Sequence, residues 1–117
     1  MITIYHNPKC SKSRDALEIL QKNRIKFTIK EYLKEGLTLA EVENLLQLLQ
    51  FSPIQIMREK EADFKTNHLA EATDKQLILA LVKYPKLLER PILVSKNSAV
   101  IARSMEPIME FLSREIE

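Results

Sequence analysis

The sequence has very little glycine and cysteine, since Gly36 and Cys10 are the only ones among its 117 residues. One glycine cannot build a glycine-rich phosphate loop, so an anion-binding site would have to use helix-end amides and side chains. One cysteine cannot form an intramolecular disulfide, which favours a protein of the reducing cytoplasm. A metal site needs three or four ligands, which one cysteine and two distant histidines do not supply. We therefore expect no metal and no bound cofactor.

Long apolar runs and a strong charge of one sign are also absent. No stretch reaches the roughly 18 apolar residues that span a bilayer, and the chain starts in a predicted strand rather than a signal peptide. The net charge of +2 arises from 18 basic and 16 acidic residues mixed along the chain, which favours neither nucleic acid nor a membrane as a partner. We expect one cytoplasmic domain, residues 1–117, large enough to form its own core.

Cys10 lies where a short strand ends and a helix is predicted to begin. The alternating apolar run 2–5 is broken by an Asn-Pro pair, and a helical pattern follows the cysteine. The positive end of a helix and its unpaired amides stabilise an anionic sulfur, and they also bind oxyanions. A lone cysteine is otherwise most often a small buried apolar residue. Here the flanking cations favour a reactive thiolate instead; they are Lys9, Lys12 and Arg14.

Apolar periodicity, capping residues and prolines predict alternating strands and helices. In chain order these are a strand 2–5, a helix 12–23, a strand 27–31, a helix opened by the capping box of Thr38 and Glu41, a short helical or irregular stretch through Arg58, a polar segment, a helix 74–83, a hairpin of 91–94 and 99–102, and a last helix capped by Ser104. The last helix is expected to place four apolar residues on one side; they are Ile108, Met109, Phe111 and Leu112.

This order of elements predicts an α/β fold with a thioredoxin-like mixed sheet. A β-α-β half and a β-β-α half are separated by a helical insertion, at about residues 37–88. Cys10 then starts the first helix, where thioredoxin-like proteins keep their reactive thiol. Pro91 begins the third strand beside that loop, which favours a cis Arg90-Pro91 bond.

The residues around the cysteine make the resemblance specific. The segment Ile4–Arg14 reads Ile-Tyr-His-Asn-Pro-Lys-Cys-Ser-Lys-Ser-Arg and resembles the signature of the glutaredoxin-coupled arsenate reductase (ArsC) family. Ser11-Lys12 stands where that family often has Gly-Thr. The family's three anion-binding arginines match Arg58, Arg90 and Arg103. The resemblance covers nearly the whole chain.

The resemblance implies an arsenate reductase with a single-thiol mechanism. Arsenate would bind to the three arginines, and the Cys10 thiolate would attack arsenic to form a thioarsenate intermediate. Ser13 would bond to the sulfur, and Arg14 would support the loop. Because no second cysteine can resolve the intermediate, glutathione followed by glutaredoxin is expected to release arsenite. The expected partners are therefore the oxyanion, glutathione as co-substrate and glutaredoxin, with the chain as a monomer.

Other interpretations remain open beside this one. A glutathione-dependent reductase of the same family could act on another substrate, and an Spx-like regulator that binds RNA polymerase could share the fold. Such regulators usually carry Cys-x-x-Cys, whereas position 13 here is serine. A low-molecular-weight tyrosine phosphatase is disfavoured, because its loop spaces cysteine and arginine by five residues.

Several further polar residues differ in their expected importance. His6 could assist the thiolate or could be a structural histidine bonded to backbone, and the sequence favours neither. His68, Arg24 and Arg114 lie away from the cysteine loop in the predicted fold, so we expect no role for them.

Overall fold

The computed structural model describes residues 2–116, and the chain divides into two compact units. The first unit is formed by Met1–Tyr32 and Arg90–Glu117, and the second by Leu33–Glu89, which overlaps the predicted insertion. The elements are β1 (Ile2–Tyr5), α1 (Ser11–Lys22), β2 (Phe27–Lys30), α2 (Tyr32–Glu35), α3 (Leu39–Leu49), α4 (Ala62–Thr66), α5 (Asp74–Lys83), β3 (Ile92–Val94), β4 (Ala99–Ile101) and α6 (Met105–Ile116). Short 3-10 turns cover Pro53–Ile56, Leu69–Glu71 and Pro85–Leu87.

The first unit contains a four-stranded mixed sheet in the order β2-β1-β3-β4. The strands β1 and β2 are parallel and joined by α1, while β3 pairs antiparallel with both β1 and β4. This is the predicted thioredoxin-like arrangement, and the Arg90-Pro91 bond is cis as expected. The predicted boundaries of α1 and β2 lie within one residue of those observed.

The core of the first unit fixes α1 and α6 against one face of the sheet. Strand residues alternate between faces, so Ile4 and its neighbour Leu93 point to the same side. Apolar residues of both helices cover them; the buried set is Ile2, Ile4, Ala16, Leu20, Leu93, Ala102, Ile108, Phe111 and Leu112. Burial of this apolar area holds both helices in place.

The strand register brings the cysteine loop and the arginines next to β3 and β4 to one end of the sheet. Tyr5 pairs with Ile92, and Ile92 pairs with Ile101. The residues that follow β1, precede β3 and follow β4 therefore emerge at the same end. These are the Cys10 loop, Arg90 and Arg103.

The second unit is helical. Both long helices begin with complete capping boxes: Thr38 with Glu41 for α3, as predicted, and Thr73 with Gln76 for α5. An isolated antiparallel bridge joins Met57 to Leu88 in this unit. No helix within residues 2–116 is long and apolar enough to cross a membrane.

Three features differ from the sequence interpretation. The four-residue helix α2 has no counterpart among the predicted elements. The polar stretch near residue 62 forms α4, whose only buried residue is Phe64, so its apolar periodicity is too weak to signal a helix. Met109 does not share the buried side of α6, since 41% of its surface is exposed. It follows Ile108 by one residue, about 100° around the helix, which moves it off the buried stripe.

We expect Leu20→Ala to lower the free energy of unfolding by about 2–5 kcal/mol, since it removes a fully buried side chain and leaves a cavity. Leu79→Ala is the matched control in α5, because Leu79 is 51% exposed and should cost under about 0.5 kcal/mol. Urea unfolding of both variants checks the prediction. Equal losses would contradict the described core.

Candidate functional site

Cys10 is the N-cap residue of α1. Its backbone is extended (φ −94°, ψ 123°), and its N–H donates to the Asn7 carbonyl at 3.0 Å. Its own carbonyl accepts from the Arg14 N–H at 3.0 Å, which is the first bond of the helix. The residue is partly exposed and its side chain makes no capping hydrogen bond. The sulfur therefore sits at the positive end of a helix with access to solvent, where negative charge is stabilised.

A buried hydrogen-bond network lies beneath this loop. Ser13 is fully buried, and its hydroxyl oxygen lies 2.6 Å from Nδ1 of His6. The same oxygen accepts the Asn7 backbone N–H at 3.0 Å. The hydroxyl therefore holds His6 and Asn7 rather than the sulfur, which corrects the bond to Cys10 expected from the sequence. Ser13 is buried together with His6, and sequence spacing does not reveal this pairing.

His6 is buried as well, with 5% of its surface exposed. Burial lowers the pKa of His6 below its ordinary value; the Glu31 carboxylate opposes this and the Arg14 guanidinium adds to it. A neutral ring can accept the Ser13 hydroxyl proton at Nδ1, while Ser13 accepts from Asn7. The His6 backbone N–H also continues the sheet by donating to the Lys30 carbonyl at 2.9 Å. These contacts favour the structural role of His6 over the direct one.

Arg14 and Asn7 brace the rest of the loop. Arg14 Nη1 donates to the Pro8 carbonyl at 2.9 Å, in keeping with its expected role. The Asn7 side-chain oxygen accepts the Lys9 N–H at 3.0 Å, and Asn7 also bonds to Cys10 and Ser13. Sequence reasoning assigned no role to Asn7, although asparagine before a tight turn often bonds to the backbone two residues on.

Arg90 and Arg103 lie together at the same end of the sheet. Arg103 Nη1 donates to the Arg90 carbonyl at 2.8 Å. Two nitrogens of the Arg90 guanidinium, Nε and Nη1, are buried and have no hydrogen-bond partner among residues 2–116. Buried donors without partners are costly and rare, so they are the strongest sign in the first unit of a place for an anion.

Arg58 belongs to the second unit, and its guanidinium is engaged there. It forms a short ion pair with Glu61, and its Nε lies 3.8 Å from a Glu89 carboxylate oxygen. Its assignment as an anion ligand stays a sequence prediction.

The two remaining arginines, Arg24 and Arg114, are exposed and lie away from the cysteine loop. Arg24 is exposed after α1, and Arg114 is exposed in the last turn of α6, at the opposite end from the cysteine loop. Within residues 2–116, no three side chains of the His, Cys, Asp and Glu types come close enough together to hold a metal ion.

The buried His6 should make stability depend on pH. Its pKa is lower in the folded state than the ordinary 6.5, so on acidification the unfolded chain takes up a proton first. The stabilisation from neutral His6 is therefore complete above pH 6.5 and is lost as the pH falls below it. His6→Asn should cost about 1–2 kcal/mol at pH 7.5 through the lost hydrogen bond, and the deficit should shrink toward pH 5.

Urea unfolding between pH 7.5 and 5 measures this, with His68→Asn as the control. His68 is exposed and left-handed (φ 54°, ψ 40°), a conformation that asparagine tolerates. A deficit for His6→Asn that grows on acidification would mean that the folded protein prefers the charged imidazole.

Comparisons with known proteins find a family model and relatives that match most of the chain. A family model described as the ArsC family matches residues 5–111. The chain is 39% identical over 114 residues to the uncharacterized protein YfgD of Escherichia coli K12, covering 95% of this chain and 96% of that protein. It is 32% identical over 114 residues to the arsenate reductase of Haemophilus influenzae, covering 95% and 98% respectively.

A solved structure extends the likeness to the fold. The arsenate reductase from Vibrio cholerae superposes with a TM-score of 0.83 at 36% identity, covering 96% of this chain and 95% of that one. Since the family model spans most of the sequence and relatives above 30% identity align over nearly its full length, this chain belongs to the ArsC family.

Proposed function

We propose that the protein is an arsenate reductase in which Cys10 is the nucleophile and glutathione with glutaredoxin supplies the electrons. One observation carries the proposal: the only cysteine of the chain is the N-cap residue of α1, at the sheet end where Arg90 holds two buried nitrogens without partners among residues 2–116. A nucleophile and an anion-binding group at one end of a sheet are the minimum that oxyanion chemistry needs.

Arsenate is proposed to bind through guanidinium groups and helix-end amides. An oxyanion on Arg90 would satisfy its two buried donors, and Arg103 is held beside it through the Arg90 carbonyl. Planar guanidinium groups form paired hydrogen bonds to tetrahedral oxyanions, which lysine does less well. Arg58 is retained as a third ligand on its family resemblance, and its contacts with Glu61 and Glu89 lie within the second unit.

The first chemical step joins sulfur to arsenic. The Cys10 thiolate attacks arsenic(V), a sulfur–arsenic bond forms, and one arsenic–oxygen bond breaks. The departing oxygen takes up protons and leaves as water. Donors fixed around the oxyanion stabilise the charge that develops on its remaining oxygens.

Reduction then needs thiols from outside the chain, because Cys10 is the only cysteine. Glutathione attacks the Cys10 sulfur, and the electrons of the sulfur–arsenic bond pass to arsenic, which leaves as arsenite. The mixed disulfide that remains is opened by a glutaredoxin thiolate, which takes the glutathionyl group and restores the Cys10 thiolate. Two electrons have then moved from thiols to arsenic.

Ser13, His6, Asn7 and Arg14 are proposed to act by holding the loop. Their contacts fix the backbone on both sides of Cys10, so the sulfur and the helix-end amides keep one geometry. A preorganised loop loses little free energy to reorganisation when charge develops.

A coupled assay tests the function directly. Arsenate should drive NADPH consumption when glutathione reductase, glutathione and glutaredoxin are present, and omission of glutaredoxin should slow it. Cys10→Ser should abolish turnover with an unchanged thermal melt, because it removes the nucleophile and alters little packing. Turnover by Cys10→Ser above a few per cent of the parent would contradict the mechanism. If the parent protein is inactive with arsenate in the complete coupled assay, its substrate is a different compound.

The arginines should contribute to oxyanion turnover unequally. Arg90→Ala and Arg103→Ala should each lower kcat/KM for arsenate by roughly 10- to 1,000-fold, the range for loss of one preorganised donor. Lysine at position 90 should restore only part of this, because a point charge cannot form the forked contact.

Arg114→Ala is the matched control for these variants, since its side chain is exposed at the far end of α6. It should leave kcat/KM within about twofold of the parent. A loss as large as that of Arg90→Ala would place the anion site elsewhere.

A further inference from the structure

A groove of about 560 Å³ lies between α1 and α6 in the first unit, and of its lining residues the proposed function uses only Arg103. Its volume falls in the range of small-molecule sites. The residues that matter here are Lys12, Asp15 and Ile19 from α1, Met105 and Met109 from α6, and Arg103 just before α6.

The two helices that line the groove both begin at the cysteine end of the sheet. Because β1 and β4 both pair antiparallel with β3, they run in the same direction. The helices that follow them, α1 and α6, therefore both start at the sheet end that carries Cys10. From Lys12 to Lys22 the groove follows α1 for about 15 Å at 1.5 Å per residue, and an extended tripeptide needs only about 10 Å.

Two opposite charges near the mouth of the groove have no partner. The side chains of Lys12 and Asp15 make no ion pair or hydrogen bond with any residue in the described range 2–116. Farther along, Lys22 is already paired with Glu18 at 2.9 Å. The mouth therefore offers a cation and a carboxylate one helical turn apart, a pattern complementary to the zwitterionic end of an amino acid.

The opposite wall is apolar and exposed. Met105 is 62% exposed and Met109 is 41% exposed, and both line the groove. Methionine side chains are flexible and polarizable, so they adapt to irregular ligands that contain methylene and thioether groups. A ligand with a charged amino-acid end and an apolar middle matches both walls.

We propose that this groove binds glutathione, with Lys12 on the α-carboxylate and Asp15 on the α-ammonium of its γ-glutamyl end. Met105 and Met109 pack against the methylene groups of the peptide, and the bound peptide lies at the sheet end that carries Cys10. This inference rests on the proposed function, which needs a small thiol at Cys10, and it assigns that thiol a binding site of its own.

The test separates binding from chemistry. S-methylglutathione, which cannot exchange thiols, is titrated into the Cys10→Ser protein and followed by amide chemical shifts in two-dimensional NMR. Shifts should map to 12–23 and 102–109. Lys12→Gln and Asp15→Asn should each weaken binding by about five- to tenfold, the loss of one charge-assisted hydrogen bond at an exposed site.

Two controls test whether binding is specific to the groove and to the γ-glutamyl group. Lys26→Gln removes an exposed cation of the same unit that does not line the groove, and it should leave the affinity unchanged. S-methylcysteinylglycine lacks the γ-glutamyl group and should bind at least tenfold more weakly than the tripeptide.

Equal binding of the dipeptide, shifts outside the groove, or full affinity in both Lys12→Gln and Asp15→Asn would overturn the site. Failure of the arsenate assay alongside groove binding would reject the proposed function and leave the site standing. Robust arsenate turnover without groove binding would reject only the site.

Discussion

The antiparallel register of β3 with both β1 and β4 is the constraint on which the first unit depends. It sets Tyr5 opposite Ile92 and Ile92 opposite Ile101, so three segments distant in sequence leave the sheet at one end. A slip of one residue would turn every side chain of β3 to the opposite face. Because Ile92, Leu93 and Val94 are all buried, each would then have to fit the packing of the other face, so burial protects the register. The position of Arg90 relative to the cysteine loop is thus fixed by the core.

The loop itself is held without glycine, by polar contacts in a buried setting. The Ser13 hydroxyl connects a histidine ring to the Asn7 amide, and Asn7 in turn accepts the N–H of Cys10 through its carbonyl. Buried polar groups lower stability unless they are paired, and when paired they specify one conformation. The lowered pKa of His6 fits this role, since a neutral ring completes the network without bringing a charge into the core.

The chemistry divides between groups that are paired and groups that are not. His6, Ser13 and Arg14 have internal partners and hold the loop. Within the described part of the chain, two Arg90 nitrogens and the side chains of Lys12 and Asp15 have no such partner. Since unpaired polar groups are unfavourable in proportion to their burial, the Arg90 donors are the more strongly indicative of a ligand. The exposed Lys12 and Asp15 become informative only with the groove between α1 and α6 that they line.

The sequence by itself determined the order of the strands and of the four long helices, both boundaries of α5 and the capping box of α3, because periodicity, caps and prolines act over a few residues. It also placed Cys10 at a helix start and, through family resemblance, singled out Arg90 and Arg103. Only the tertiary structure decided that Ser13 faces His6 instead of the sulfur, that Met109 is exposed and that α4 is a helix. These depend on which surfaces are buried by residues far along the chain, and local sequence carries no signal for such contacts. The unpaired nitrogens of Arg90 and the groove beside α1 also could not be predicted from the sequence, because each arises only when separate helices and strands pack together.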